Sequence, residues 1–196
     1  MPGILTGADA ISGTRLSFQE ANKIKNCYRG AAAPVDAVAG VLWQDSADDR
    51  LYQYDGAAWN LIPPYEVDDW TPALTFGGLA VGMTYGANNA GRYVRIGDWV
   101  WLTGRLQLTA KGTSVGGALI TPLPFTAKNV DGAWTPVNMR LNVISFADQW
   151  VGFIAANTAD ITIGEQTMAG VYTDLDNTNF ANTSVIMINA HYEIEV

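Results

Sequence analysis

The chain has 196 residues, a formal net charge of -8, 48% apolar residues and only 15% charged ones. That composition supports a sizeable core and excludes global disorder, and the acidic balance argues against a phosphate-binding surface and so against nucleic acid as a partner. A single cysteine, Cys27, and a single histidine, His191, exclude an intrachain disulfide, a thiolate metal cluster and any site that needs two imidazoles.

With so few charges, against ~25% in average domains, the surface must lean on Thr, Asn, Gly and Gln, which suits a β-rich extracellular or viral protein. The N-terminus lacks the basic start and apolar run of a signal peptide, and no stretch approaches the ~20 apolar residues of a membrane span. The expectation is therefore no secretion signal and no membrane insertion. Residues 1–16 are rich in Gly, Ala and Ser without any period and read as an arm. Ser17-Phe18-Gln19-Glu20 has the form of a capping box. The helix it opens would place Phe18, Ala21, Ile24 or Lys25, and Tyr28 on one stripe and stop at Gly30. About 12 residues are marginal for an isolated helix, so this one is expected to dock on its own copies or on a partner. Residues 31–40 read as a linker.

A small β-meander follows, with strands at 41–44, 51–54 and 59–62, a polar turn at 45–50 and the turn dipeptide Asp55-Gly56. Pro63-Pro64 breaks the chain and sets a boundary at about 63–69. From Trp70 onward the pattern is all β. Residues 92–96 and 99–109 form a hairpin about Gly97-Asp98, with Val100, Leu102, Leu106 and Leu108 on one face. Further strands are expected at 118–120, 137–146, 150–155, 160–164, 167–172 and 184–196. In the last of these, Ile186, Ile188, Ala190, Tyr192, Ile194 and Val196 alternate with Val185, Met187, Asn189, His191, Glu193 and Glu195. Short strands with turns every 8–12 residues argue for a sandwich or jelly roll.

Two passages resemble phage tail and fibre proteins. In residues 29–62, a Gly-x-x-Trp-x-Asp strand (40–45) precedes a Tyr-Asp-Gly-x-x-Trp hairpin (54–59), as in their short modules. Residues 69–125 resemble the C-terminal β-sandwich of fibre and receptor-binding proteins, through Trp-Thr-Pro-x-Leu at 70–74, Gly-Arg-Tyr-x-Arg-x-Gly at 91–97 and Leu-Pro-Phe at 123–125. The closing MINAHYEIEV has the same look. The resemblance implies a virion protein, a homotrimer with an N-terminal attachment part and a distal β-sandwich. No extended shaft separates the two parts, which favours a compact fibre, spike or decoration on tail, baseplate, collar or head.

Chemistry is sparse. His191 sits on the polar face of a terminal strand, where a surface or interface role explains it better than catalysis. The pairs Asp48-Asp49 and Asp68-Asp69 fall in a turn and a linker open to water and not in a cleft, although glycosidases need only two carboxylates about 5–10 Å apart. The Asp- and Asn-rich residues 173–179 lack the Gly and the distant Glu of an EF-hand loop. No catalytic residue, metal or cofactor is expected. Trp99 and Trp101 share the face opposite Val100 and Leu102, so both faces of that strand are apolar. A subunit interface explains the outer pair better than a sugar platform; Trp134 and Trp150, near strand ends, are the better-placed candidates for glycan contact, with Trp99 and Trp101 after them.

The meander alone buries too little. Six large side chains at about 1.5–3 kcal/mol each are set against about 1–2 kcal/mol per ordered backbone residue. Three copies could bury the aromatics together, which makes Phe18, Ile24, Trp43, Tyr52, Tyr54 and Trp59 candidates for a trimer interface. The resulting expectation is an all-β chain, an intertwined homotrimer: arm, helix and linker at 1–39, meander at 40–64, jelly-roll-like β-sandwich at 65–196. Its role would be a short virion fibre or spike that joins other phage structural proteins through the arm and binds host surface polysaccharide. A trimeric polysaccharide depolymerase and a purely architectural decoration protein are the alternatives.

Overall fold

A computed structural model describes residues 27–47 and 49–195. The arm, the capping box, Phe18, Ile24, Asp48 and Val196 lie outside the described residues. The chain divides into two units, Met1–Pro64 and Tyr65–Val196.

The first unit contains a four-stranded sheet of β1 (Cys27–Gly30), β2 (Leu42–Asp45), β3 (Leu51–Tyr54) and β4 (Trp59–Ile62), in that order across the sheet. β2, β3 and β4 form the expected antiparallel meander. β1 corrects the expectation of a helix running to Gly30: it is extended and pairs parallel to β2, Tyr28 opposite Trp43. The Trp43 indole N–H donates to the Gly30 carbonyl over 2.9 Å, a partner 13 positions away that local periodicity does not reveal. Parallel neighbours need a long crossover, and residues 31–41 supply it.

The second unit begins with β5 (Tyr65–Trp70), β6 (Ala73–Phe76), β7 (Met83–Tyr85), β8 (Ala90–Ile96), β9 (Trp99–Lys111) and β10 (Ala118–Thr121). It continues with β11 (Thr135–Pro136), β12 (Asn138–Ile144), β13 (Gln149–Ile154), β14 (Ile161–Gln166), β15 (Tyr172–Asp174) and β16 (Phe180–Glu193). One sheet has the order β12-β16-β9-β8-β5, with β7 also on β9; the other runs β11-β13-β14-β10-β6, with β15 on β14. They face each other as a β-sandwich. Leu74, Phe76, Ile120, Ile161 and Ile163 from one sheet meet Val100, Leu102, Leu106, Ile186 and Tyr192 from the other, all buried in one cluster. The fold is all β; among the described residues its helical content is a single 3-10 turn at Asp131–Ala133.

The short motifs at 70–74, 91–97 and 123–125 interlock. Trp70 is buried flat against the paired glycines Gly91 and Gly104, and its indole N–H donates to the Thr103 carbonyl over 2.9 Å. A Cβ on Gly91 would stand 2.1 Å from the Trp70 indole nitrogen, so a side chain there is excluded. Tyr93 packs edge-on against Phe125 at 5.3 Å, the Arg95 guanidinium lies over the same ring at 5.2 Å, and the Tyr192 hydroxyl donates to the Phe125 carbonyl. These motifs build the core.

Three further expectations are corrected. Asp68 and Asp69, read as part of a linker, lie in strand β5; the strand belongs in the sheet because Trp70 anchors it and Tyr93 donates to Glu66. Residues 167–171 form a turn, closed by Gly170 at φ +80° and by the Thr167 hydroxyl accepting from Val171 N–H, so the strand starts only at Tyr172. The last strand starts at Phe180, four residues early, across a bulge in β12. At that bulge the buried Ser184 hydroxyl donates to the Val143 carbonyl and accepts from Ala181 N–H, which keeps both backbone groups satisfied.

Candidate functional site

Three aromatic surfaces are candidates. The first lies on the small sheet, where register puts Tyr28, Trp43, Tyr52, Tyr54, Trp59 and Leu61 on one face. Trp43 stacks on Tyr52 at 5.0 Å and meets Trp59 edge-on at 5.6 Å, while Tyr54 and Trp59 approach to 5.1 Å. Trp43 is buried within one chain, and Tyr52, Tyr54 and Trp59 keep part of their surface open. The Asp55-Gly56 turn sets this register. The Asp55 carboxylate accepts from Ala57 N–H, Ala58 N–H and the Asn60 amide, and these bonds, the Ala58 one foremost, hold its carboxyl below the ordinary 3.8.

The second surface is the outer face of the β9 sheet. Inward Val100 and Leu102 are buried, and outward Trp99 and Trp101 are 43% and 45% exposed. Register extends this row to Val94 and Ile96 on β8 and to Tyr65 and Val67 on β5. Tyr65, Val67 and Ile96 are exposed as well. A depression of about 360 Å³ opens among Tyr65, Val67, Val94, Trp101, Thr103 and Asn189. His191 lies beside Trp99, ring centres 6.2 Å apart, with no carboxylate bonded to it among the described contacts.

The third surface is the outer face of the other sheet. Trp134, in the loop before β11, is 58% exposed and stacks on Phe153 of β13, ring centres 5.4 Å apart. Phe153 in turn meets Tyr172 of β15 edge-on at 5.8 Å. Tyr172 lies across Gly164, where a Cβ would stand 2.3 Å from the ring, and its hydroxyl donates to Asp174 over 2.6 Å. Burial first, and then that bond, push the Tyr172 phenol well above its ordinary value. Trp150, grouped with Trp134 by sequence context, is separated from it by the pleat: it points inward and packs half-buried against the core. Phe153 and Tyr172 escape sequence reading because they lie in different strands. The one local signal is Gly164, since a glycine inside a strand marks close approach of another group.

Most carboxylates of the sandwich are engaged with their own fold. Glu165 accepts from Ala147 N–H, Asp148 from Met168 N–H and Glu195 from Asn129 N–H. Glu193 pairs with Lys128, and Asp69 pairs with Arg92 at 3.3 Å on the surface. In the Asp- and Asn-rich loop, Asp176 accepts from Thr178 N–H and hydroxyl, Asn179 from Asp176 N–H, and the Asn177 carbonyl from the Lys111 ammonium. These oxygens tie the turn together, and the Thr178 bonds hold the Asp176 carboxyl below its ordinary value. Among the described residues no group of three or more His, Cys, Asp or Glu is placed to hold a metal ion.

No protein-family model and no curated protein matches the chain. Among solved structures, the crystal structure of the Dettilon tailspike protein is similar, with a TM-score of 0.55 and 14% sequence identity. The likeness covers 66% of this chain and 24% of that one, so the chain spans about a quarter of the tailspike's length. At this identity it is a likeness of fold.

Proposed function

We propose that the chain is a structural virion component: a short, trimeric phage fibre or spike whose N-terminal segment joins other phage structural proteins and whose β-sandwich meets host surface glycans. The observation that carries this reading is the tailspike-like fold over 66% of the chain. The outer face of the β9 sheet supports assembly, because Trp99, Trp101, Tyr65, Val67 and Ile96 leave one contiguous apolar patch open in a single chain. Partly open Tyr52, Tyr54 and Trp59 on the small sheet support it too. A non-catalytic role is favoured because most of the sandwich carboxylates are committed to backbone N–H groups, hydroxyls and ion pairs. Weak glycan contacts, multiplied by three chains and by many copies per particle, would give firm attachment.

Light scattering on the purified chain tests the assembly: a species of about three times 21.1 kDa is expected. The double variant Trp99→Ala, Trp101→Ala should shift that species toward monomer. A wild-type monomer would overturn the trimer. Incubation with host polysaccharide should release no reducing ends, and release would favour the depolymerase. Specific adsorption to host cells separates an adhesive fibre from a decoration protein.

A further inference from the structure

We infer that the shelf formed by Trp134, Phe153 and Tyr172 is a saccharide subsite that takes a neutral pyranose ring, which rests on the reading of the sandwich as glycan-facing. The shelf is preorganised. Phe153 backs one face of Trp134 at an interplanar angle of 28°, so the indole is held and 58% of Trp134 stays exposed. Gly164 lets Tyr172 lie down on β14, and Asp174 fixes its hydroxyl. A side chain held this way loses little conformational freedom on binding.

The chemistry selects the occupant. A pyranose has a flat C–H face and a rim of hydroxyls, and it needs a π face beside hydrogen-bond acceptors. Here the rings are bordered by the Asp174 carboxylate, the Tyr172 hydroxyl oxygen and the amides of Gln149 and Gln166, the last two directly opposite each other in register. Asp174 and the net charge of -8 disfavour anionic sugars. A protein partner fits less well, since stable interfaces take about 800 Å² per partner and three rings among polar groups fall short of that. The shelf also lies on the sheet opposite Trp99 and Trp101, so subunit assembly through the β9 face leaves it open.

The test uses the full chain with ¹⁵N-labelled tryptophan, titrated with cellotriose, maltotriose and chitotriose, and with trigalacturonic acid as the charged comparison. The Trp134 indole signal, assigned by its absence in Trp134→Phe, should move with at least one neutral trisaccharide and stay still with the charged one. Calorimetry, which does not need the missing indole, should show Trp134→Ala weakening that binding about tenfold or more and Trp134→Phe much less. If Trp134→Ala perturbs the fold, Trp134→Phe and Tyr172→Phe carry the comparison, the latter losing the hydroxyl edge. No response of the Trp134 signal to any neutral trisaccharide, or unchanged affinity in Trp134→Ala (in Tyr172→Phe if Trp134→Ala perturbs the fold), overturns the inference. Host-cell adsorption that persists in Trp134→Ala would sink the shelf and leave the fibre reading standing. Absent adsorption of wild type would sink the fibre reading, while the sugar titration still decides the shelf.

Discussion

Two glycines opposite each other, Gly91 and Gly104, do the work of a socket for Trp70. Neither has an unusual backbone requirement; each is needed because an indole occupies the space where its Cβ would be. Gly91→Ala is therefore expected to lift the ring, break its bond to the Thr103 carbonyl and cost about 3 kcal/mol, near the top of the range for overpacked cores. Thermal unfolding would show this as a Tm lowered by roughly 10 °C. A Tm within two degrees of wild type, roughly the shift 0.5 kcal/mol gives, would mean the ring has another place to go. Tyr93 illustrates the same economy: its hydroxyl donates to Glu66, a bond that pushes the phenol up to about 12 and ties β5 to the sheet.

Among elements, the β3–β4 hairpin depends on a single carboxylate. With its carboxyl held below 3.8, Asp55 favours the folded turn in its ionised form. That contribution is fully present above about pH 4 and is lost as pH falls through the lower folded value. Amide protection in β3 and β4, measured against the intrinsic exchange rate at each pH, should fall in wild type between about pH 4 and pH 2, while Asp55→Asn should show lower protection at neutral pH and little further change on acidification. An acid response that is the same in both would remove Asp55 from the account. Elements also show what local pattern conveys. β9 and β16 were legible because each alternates strictly with one buried face over a long run, and a one-residue slip would expose every core side chain. β5 was hidden because Glu66, Asp68 and Asp69 look like a linker, yet charges on an edge strand are ordinary where they discourage further pairing. β1 was hidden because its partner among the described residues, β2, pairs with it across a crossover. The candidate site divides the same way: Trp99 and Trp101 were readable from their spacing of two, whereas the shelf needs a loop and two strands that only the folded sheet brings together.

For the whole molecule, the division at Pro64 separates two cores of unequal quality. The sandwich core draws every buried member from residues 70–194, so residues 65–196 produced alone are expected to fold cooperatively, with coincident loss of near-UV signal and β-sheet dichroism. Non-coincident transitions would show that this unit leans on the rest of the chain. The small sheet relies on one face of aromatic rings. Its four short strands are near the minimum for independent stability, and the order across the sheet matters more than the count.

That order has a mechanical consequence. β1, β2 and β4 all run one way, with β3 between β2 and β4 running back. Residue 27 therefore enters at one end of the sheet, on one edge strand, and residue 62 leaves at the other end, on the opposite edge strand. Tension applied between those two points pulls along the strands and loads each ladder in shear, so its hydrogen bonds resist together. A plain hairpin pulled at its two ends would unzip one bond at a time. The meander already loads this way, and the parallel first strand keeps it so with a fourth strand added; an antiparallel one would have brought both ends of the sheet to the same side.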